Sequence, residues 1–391
     1  MSDLRYDPEA RRDTPLARKL EERIRREGTI SLPQYMTACL GDGDHGYYTT
    51  RRPLGSAGDF VTAPEISQTF GELIGLWCAV VWQQMGSPAR VNLVELGPGR
   101  GTLMGDALRA LGVVPGFLAA VRVSLVEIGA GLRALQQQRL GSAPLATPPM
   151  WYDDVASLYF DDPAILDEPT IILGNEFLDT APVFQFLRHD DGWLSRRVGL
   201  DGRGRLAFTD LAGVAPAKPL RPRPDSSLDA WFNAARPGDI VTRAPYEMLD
   251  SDVLPWRRFA ALFIDYGHTE PRAGDTLQAV RGHAFEHPLT SPGEADLSAQ
   301  VDFAAVAARV ARHGAATAVD GPTTQAEFLG RLGIMERASR LMAANPAKAA
   351  EIEMGVARLM AVPGMGNRFK AIGIRSVGLP PLPGFEVAGY R

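Results

Sequence analysis

The chain has 391 residues, 45% of them apolar and 22% charged, the profile of a globular protein large enough to bury a sizeable core. A net charge of −5 excludes the basic footprint of a general nucleic-acid binder, and two cysteines, Cys39 and Cys78, exclude a disulfide framework. No apolar run reaches the ~20 residues of a membrane span. Residues 1–30 carry eight basic and seven acidic side chains and no apolar leader, so a bacterial, cytoplasmic protein without membrane insertion is expected.

In chain order, Thr14-Pro15 reads as an N-cap with proline at the first helical position. Leu16, Leu20 and Ile24 then repeat every four residues until Gly28. A second helix is expected over 32–40. Residues 41–64 hold five glycines and two prolines and read as a long functional loop, in which Gly58, Asp59, Thr62 and Pro64 are candidates for a lid. A largely buried helix follows over 66–85. From residue 91 strands alternate with helices: VNLVEL (91–96), a helix over 103–111, VRVSLVEI (121–128), a helix over 131–140, a short strand at 150–152, TIILGNEF (170–177) and ALFID (261–265). This alternation predicts a parallel sheet covered on both faces. After residue 300 the chain turns helical, with helices expected over 323–332, 335–344 and 347–360, before a strand within 365–378. The expected organisation is an N-terminal helical and lid region (1–90) and an α/β core (91–300) with an exposed excursion near 201–227. A helical substrate-recognition insertion (301–365) and returning C-terminal strands (366–391) complete it.

The sharpest motif is Glu95-Leu96-Gly97-Pro98-Gly99-Arg100-Gly101-Thr102, between a strand and a helix. Glycines there let the backbone approach a ligand, and the following helix presents free N–H groups and positive potential. Glu127 ends the next strand, where a carboxylate reaches ribose hydroxyls. A dinucleotide fingerprint needs a small third residue where Thr102 stands, which disfavours a nicotinamide enzyme. No P-loop motif occurs. The turn instead resembles the first motif of class I S-adenosylmethionine-dependent methyltransferases. The resemblance implies cofactor contacts from Glu95, Gly97, Pro98, Gly99, Gly101, Thr102 and Glu127, with Asp153 or Asp154 near the adenine. His283-Ala284-Phe285-Glu286-His287 formally matches an inverted zinc motif, but Gly282 and Pro288 flank it and oppose the required helix, so no metal is expected.

Four more stretches, GDFVTAPEISQTFGELIG (58–75), NEFLDTAPVFQF (175–186), IDYGH (264–268) and PGEADLSAQVDF (292–303), narrow the likeness. With the glycine turn they resemble the MidA-like methyltransferase family, whose mitochondrial members are complex I assembly factors. The resemblance implies a class I, Rossmann-like fold and S-adenosyl-L-methionine as cofactor. It further implies symmetric dimethylation of an arginine on a core subunit of NADH:quinone oxidoreductase; the alternative is a non-catalytic assembly chaperone retaining the fold. A guanidinium is a poor nucleophile, and carboxylates that hold its planar fork can aim one nitrogen at a methyl. Glu176, Asn175, Asp179 and Glu65 are the candidates for that task, with Glu72, Asp265 and His268 nearby in the motifs; Asn175 also counts among the cofactor contacts.

Overall fold

The computed structural model describes residues 6–50, 61–160, 163–190, 192–209, 235–270, 272–314 and 316–386. They form two compact units, each assembled from three separate stretches of chain.

One unit spans Val61–Leu178, Tyr246–His268 and Val306–Arg391 and holds the α/β core. Helix α1 (Gln68–Gln84) starts at Ser67, whose side chain accepts from the Thr69 N–H. Strand β1 (Val91–Leu96) is buried along its whole length, as befits a central strand, and takes the polar Asn92 and Glu95 into the interior with it. Helix α2 (Thr102–Leu111), β2 (Val121–Val126), α3 (Ala130–Leu140), β3 (Met150–Tyr152) and β4 (Thr170–Asn175) continue the alternation. They are followed by β5 (Phe259–His268), β6 (Thr317–Thr324), α4 (Gln325–Arg331), α5 (Ile334–Ala344), α6 (Ala349–Met360) and β7 (Phe369–Ser376).

The main sheet runs β3-β2-β1-β4-β5-β7-β6. Strands β3 to β5 are parallel; β7 lies antiparallel between β5 and β6. The chain leaves β1 first toward β2 and β3, and later returns on its other side with β4. Ligands of open α/β sheets bind at such a reversal, beyond the carboxyl ends of the strands.

Helix α1 lies close on α2 because two of its residues lack side chains. A Cβ at Gly75 would sit 2.6 Å from the Ala107 carbonyl oxygen, and one at Gly71 would sit 2.7 Å from Asp106 Cβ. Glu72, between them, is buried and pairs with Arg109 of α2 (3.1 Å) and Arg337 of α5 (2.8 Å). Strand β6 is absent from the sequence expectation, which has only helices between residue 300 and the strand within 365–378; that strand forms as β7. Its TAVDGPTT stretch is polar and interrupted by Gly321-Pro322, and only pairing with β7 makes it a strand.

The other unit is drawn from the described residues of Met1–Phe60, Asp179–Pro245 and Thr269–Ala305. Helix Pro15–Glu27 forms as the sequence indicates, with Thr14 Oγ1 accepting from the Ala17 N–H at 3.0 Å and Leu16, Leu20 and Ile24 buried. Helix Leu32–Gly41 carries a Ser31–Gln34 capping box. The long loop contains one short helix, Tyr47–Thr50, in this unit. Three small antiparallel sheets complete it; the first pairs Arg197–Leu200 with Ile30–Ser31 and Leu206–Phe208. The second joins Phe184–His189 to Gly192–Ser195 and Ile240–Arg243, and the third joins Leu277–Arg281 to Ala284–Glu286 and Asp296–Ala299. The zinc-like stretch is thus a strand edge, and most of the 201–227 excursion lies outside the described residues.

Candidate cofactor and methyl-transfer site

The carboxyl ends of β1, β2 and β4 bring the motif residues of the α/β unit together. Gly97, Gly99 and Gly101 adopt φ of 61°, 55° and 74°, a region that side chains disfavour, which is why the turn needs glycine at each position. The turn is pinned by the Gly97 N–H on Val126 O (3.0 Å) and the Gly101 N–H on Pro98 O (2.8 Å). Gly97 lies exposed at the edge, and a Cβ there would meet the Phe177 ring at 3.2 Å. Pro98 is buried, and Thr102 opens α2.

Glu127 follows β2 and is 5% exposed. Its Oε1 accepts from the Gly129 N–H at 2.7 Å and its Oε2 from Gln136 Nε2 at 3.2 Å. Gln136 also donates to Gly99 O (2.7 Å) and accepts from Trp151 Nε1 (2.9 Å), so one fully buried amide ties the glycine turn, the β2 carboxylate and β3 together. The sequence reading missed Gln136. Its signal was the polar interruption in the buried row Leu132, Gln136, Leu140 of α3.

Glu95, near the end of β1, is 2% exposed, and its Oε2 has no hydrogen-bond partner. Burial, and secondarily the charge of Glu127, push its carboxyl up to about 8. Burial likewise raises Glu127 to about 7, although the Gly129 N–H and Gln136 oppose the shift. Asn175, the last residue of β4, also has an oxygen, Oδ1, that is buried and unpartnered. Orphaned acceptors cost free energy unless a ligand supplies donors. The α-ammonium and ribose hydroxyls of S-adenosylmethionine are such donors, and the open glycine turn leaves backbone room beside them. The residues present therefore fit the cofactor.

Asn175 Nδ2 donates to Glu176 Oε1 at 3.3 Å, and the Ala63 N–H donates to the same oxygen at 3.2 Å. The Glu176 carboxylate thus caps the short helix Ala63–Ile66, whose Thr62 makes no side-chain cap. Glu176 has φ of 51°, unusual for a residue with a side chain, and strain of this kind clusters at functional positions. Glu65, on that helix, accepts from Thr102 Oγ1 and lies 3.6 Å from Arg100 Nη1. Glu65 and Glu176 thereby bind the Ala63–Ile66 turn to the glycine turn and to β4. Gly58 and Asp59 of the expected lid lie outside the described residues.

Asp153 is exposed and pairs with Arg133, whose Nε donates to Glu127 O at 2.6 Å. Asp154 instead accepts from the N–H and hydroxyl of Ser157, both at 2.7 Å, and so caps helix Ala156–Phe160. Asp265 is buried within β5, which runs three residues further than the expected strand, and its Oδ1 accepts from the Tyr266 N–H. Glu72 is committed to Arg109 and Arg337. Asp179 falls in the second unit, where burial, then the charge of Asp296 and that of Asp179, raise Tyr48; the Tyr48 hydroxyl donates to Asp296 at 3.0 Å.

Residues 73–323 match the family model described as S-adenosyl-L-methionine-dependent methyltransferase. The chain is 32% identical to the mitochondrial protein arginine methyltransferase NDUFAF7 of Danio rerio, over 91% of this chain and 85% of that protein. It is 33% identical to the Homo sapiens protein of the same name, over 91% and 82%. A superfamily member from Burkholderia thailandensis, crystallised with S-adenosyl-homocysteine, is 26% identical with a TM-score of 0.77, covering 96% of this chain and 95% of that one. These likenesses agree with the Rossmann-like fold and establish S-adenosyl-L-methionine as the cofactor. They also correct the expectation of a bacterial cytoplasmic protein, because the curated relatives are mitochondrial proteins of eukaryotes. Among the described residues no helix is long and apolar enough to cross a membrane. The chain belongs to the MidA-like family of S-adenosyl-L-methionine-dependent methyltransferases.

Proposed function

We propose that the chain transfers a methyl group to an arginine guanidinium of a protein, and that its substrate is a core subunit of NADH:quinone oxidoreductase, dimethylated symmetrically. Relatives named protein arginine methyltransferase over more than nine-tenths of the chain support the guanidinium. The observation that carries the reading is the carboxylate of Glu176, held by the Ala63 N–H and Asn175 beside the cofactor turn.

Bound S-adenosylmethionine supplies a methyl group on a sulfonium sulfur. The chain's own residues have three tasks. Glu127 and the glycine turn fix the nucleoside end. Asn175 and Glu176 hold the guanidinium fork and concentrate its charge on the nitrogens away from the methyl. Glu65 holds the Ala63–Ile66 turn against the edge and keeps water out. Placement of this kind contributes up to about 7–11 kcal/mol to a displacement between two bound partners.

The test is to incubate the purified chain with the isolated complex I core subunits and isotopically labelled S-adenosylmethionine. Label recovered as symmetric dimethylarginine on one subunit is expected. Label on a different residue type, or on none of the subunits while the cofactor is bound, overturns the assignment.

A further inference from the structure

Helix α3 and its N-cap, Gly129, bring three donors to Glu127. The Gly129 N–H reaches Oε1, Gln136 Nε2 reaches Oε2, and Arg133 Nε reaches the main-chain carbonyl. The amide of Gln136 can stand only one way round. The Trp151 indole N–H, which can only donate, takes Gln136 Oε1 at 2.9 Å. That turns Nε2 toward the Gly99 carbonyl at 2.7 Å and the Glu127 carboxylate at 3.2 Å, two groups that only accept. The two amide hydrogens are thereby divided between the glycine turn and the carboxylate. The stem of the side chain is fixed as well. A Cβ at Gly101 would come within 3.3 Å of Gln136 Cγ and 3.6 Å of its Cβ, so the third glycine of the turn leaves the space that this side chain fills. Gln136 is fully buried, so whatever it does to a ligand passes through its neighbours.

Resting on the cofactor reading of this edge, we propose that Gln136 is a positioning residue for the nucleoside: it acts through Glu127, holding the carboxylate at a set distance from the glycine turn so that both meet one cofactor molecule. A carboxylate pinned at each oxygen has given up its rotamer freedom before a ribose hydroxyl arrives, and each oxygen keeps a second lone pair for that hydroxyl. Trp151 aims the amide, and so ties β3 to the ribose end of the site without touching it. A residue that merely filled space here would need neither a polar group nor one orientation.

The experiment is a double-mutant cycle on the full chain: the parent, Gln136→Met, Glu127→Ala and the double variant, each titrated calorimetrically with S-adenosylhomocysteine up to millimolar concentration. Methionine is close to glutamine in length and volume and carries no donor. In the parent background Gln136→Met is expected to weaken binding about tenfold or more, the loss of one hydrogen bond to a charged group. In the Glu127→Ala background the same change is expected to cost less than about threefold, because residues that act as one unit do not add. Equal losses in the two backgrounds would make Gln136 a support of the fold alone and overturn the proposal; so would a Gln136→Met protein that binds like the parent. Either result leaves the cofactor assignment standing, whereas a parent chain that does not bind the ligand overturns both. Should Gln136→Met fail to fold, Gln136→Glu takes its place in the cycle. It keeps the shape and the acceptor for Trp151 but has at most one hydrogen for the two acceptors it faces, and the same dependence on Glu127 is expected.

Discussion

Replacement of Glu127 tests the nucleoside end of the site. In the free protein both its oxygens already accept hydrogen bonds, from the Gly129 N–H at 2.7 Å and Gln136 at 3.2 Å. Each oxygen has a second lone pair for a ribose hydroxyl. A hydrogen bond to a charged group contributes about 1.5–3 kcal/mol. Glu127→Gln keeps the shape and one carbonyl acceptor, removes the charge, and turns an NH2 toward a position that must accept. The expected loss is one such bond, about 1.5–3 kcal/mol, or about 10- to 150-fold in Kd. Glu127→Ala loses both bonds and also strands the Gly129 N–H and Gln136, so it should lose more affinity and lower Tm as well. The assay is calorimetric titration with S-adenosylhomocysteine at pH 8.5, above the value of about 7 at which free Glu127 titrates. A Glu127→Gln protein that folds normally and binds within threefold of the parent would refute the ribose contact and leave Glu127 as a support for Gln136.

Other outcomes follow from the same geometry. Glu176→Gln keeps an acceptor for the Ala63 N–H, so cofactor affinity should change less than threefold while turnover falls about 100-fold or more, read in a labelled-methyl assay; full turnover would exclude the carboxylate from the chemistry. Gly174→Ala puts a Cβ 2.6 Å from the Phe263 ring, and overpacking of this kind should cost about 1–3 kcal/mol in a denaturant titration. Glu95 is raised from 4.5 to about 8 on folding, so the native state binds the extra proton between those values. Its contribution to stability is present below pH 4.5 and is lost as pH rises through 8. Glu95→Gln should therefore raise Tm relative to the parent at pH 9 and lose that advantage at pH 5; an equal shift at both values would refute the burial argument.

The parts of the site legible in sequence are those with a local cause. Gly97, Gly99 and Gly101 advertise a left-handed turn because other residues disfavour it, and Glu127 sits one strand–helix–strand unit onward. The helix from Thr14-Pro15 to Gly28 carries its own start, stripe and stop. What escaped has a tertiary cause. The carboxylate of Glu65 meets Thr102, 37 residues away, and nothing local to either residue announces it. Strand β6 has too little apolar character to be read without its neighbour. The interleaving of two units from six stretches leaves no mark on composition at the crossings.

The position of β7 has a consequence for synthesis. It is one of the last elements of the chain, yet it lies inside the sheet, hydrogen-bonded to β5 on one side and β6 on the other. A chain emerging from the ribosome N-terminus first carries the glycine turn, Glu127 and Glu176 long before it can close that gap. Until residues 369–376 are released, β5 presents a bare edge of unpaired backbone groups and the apolar residues Leu262 and Ile264 lack their cover. Late closure of this kind makes the nascent protein depend on protection from aggregation from the synthesis of β5 until that of β7. It also means that a premature stop ahead of residue 369 removes the keystone of the sheet.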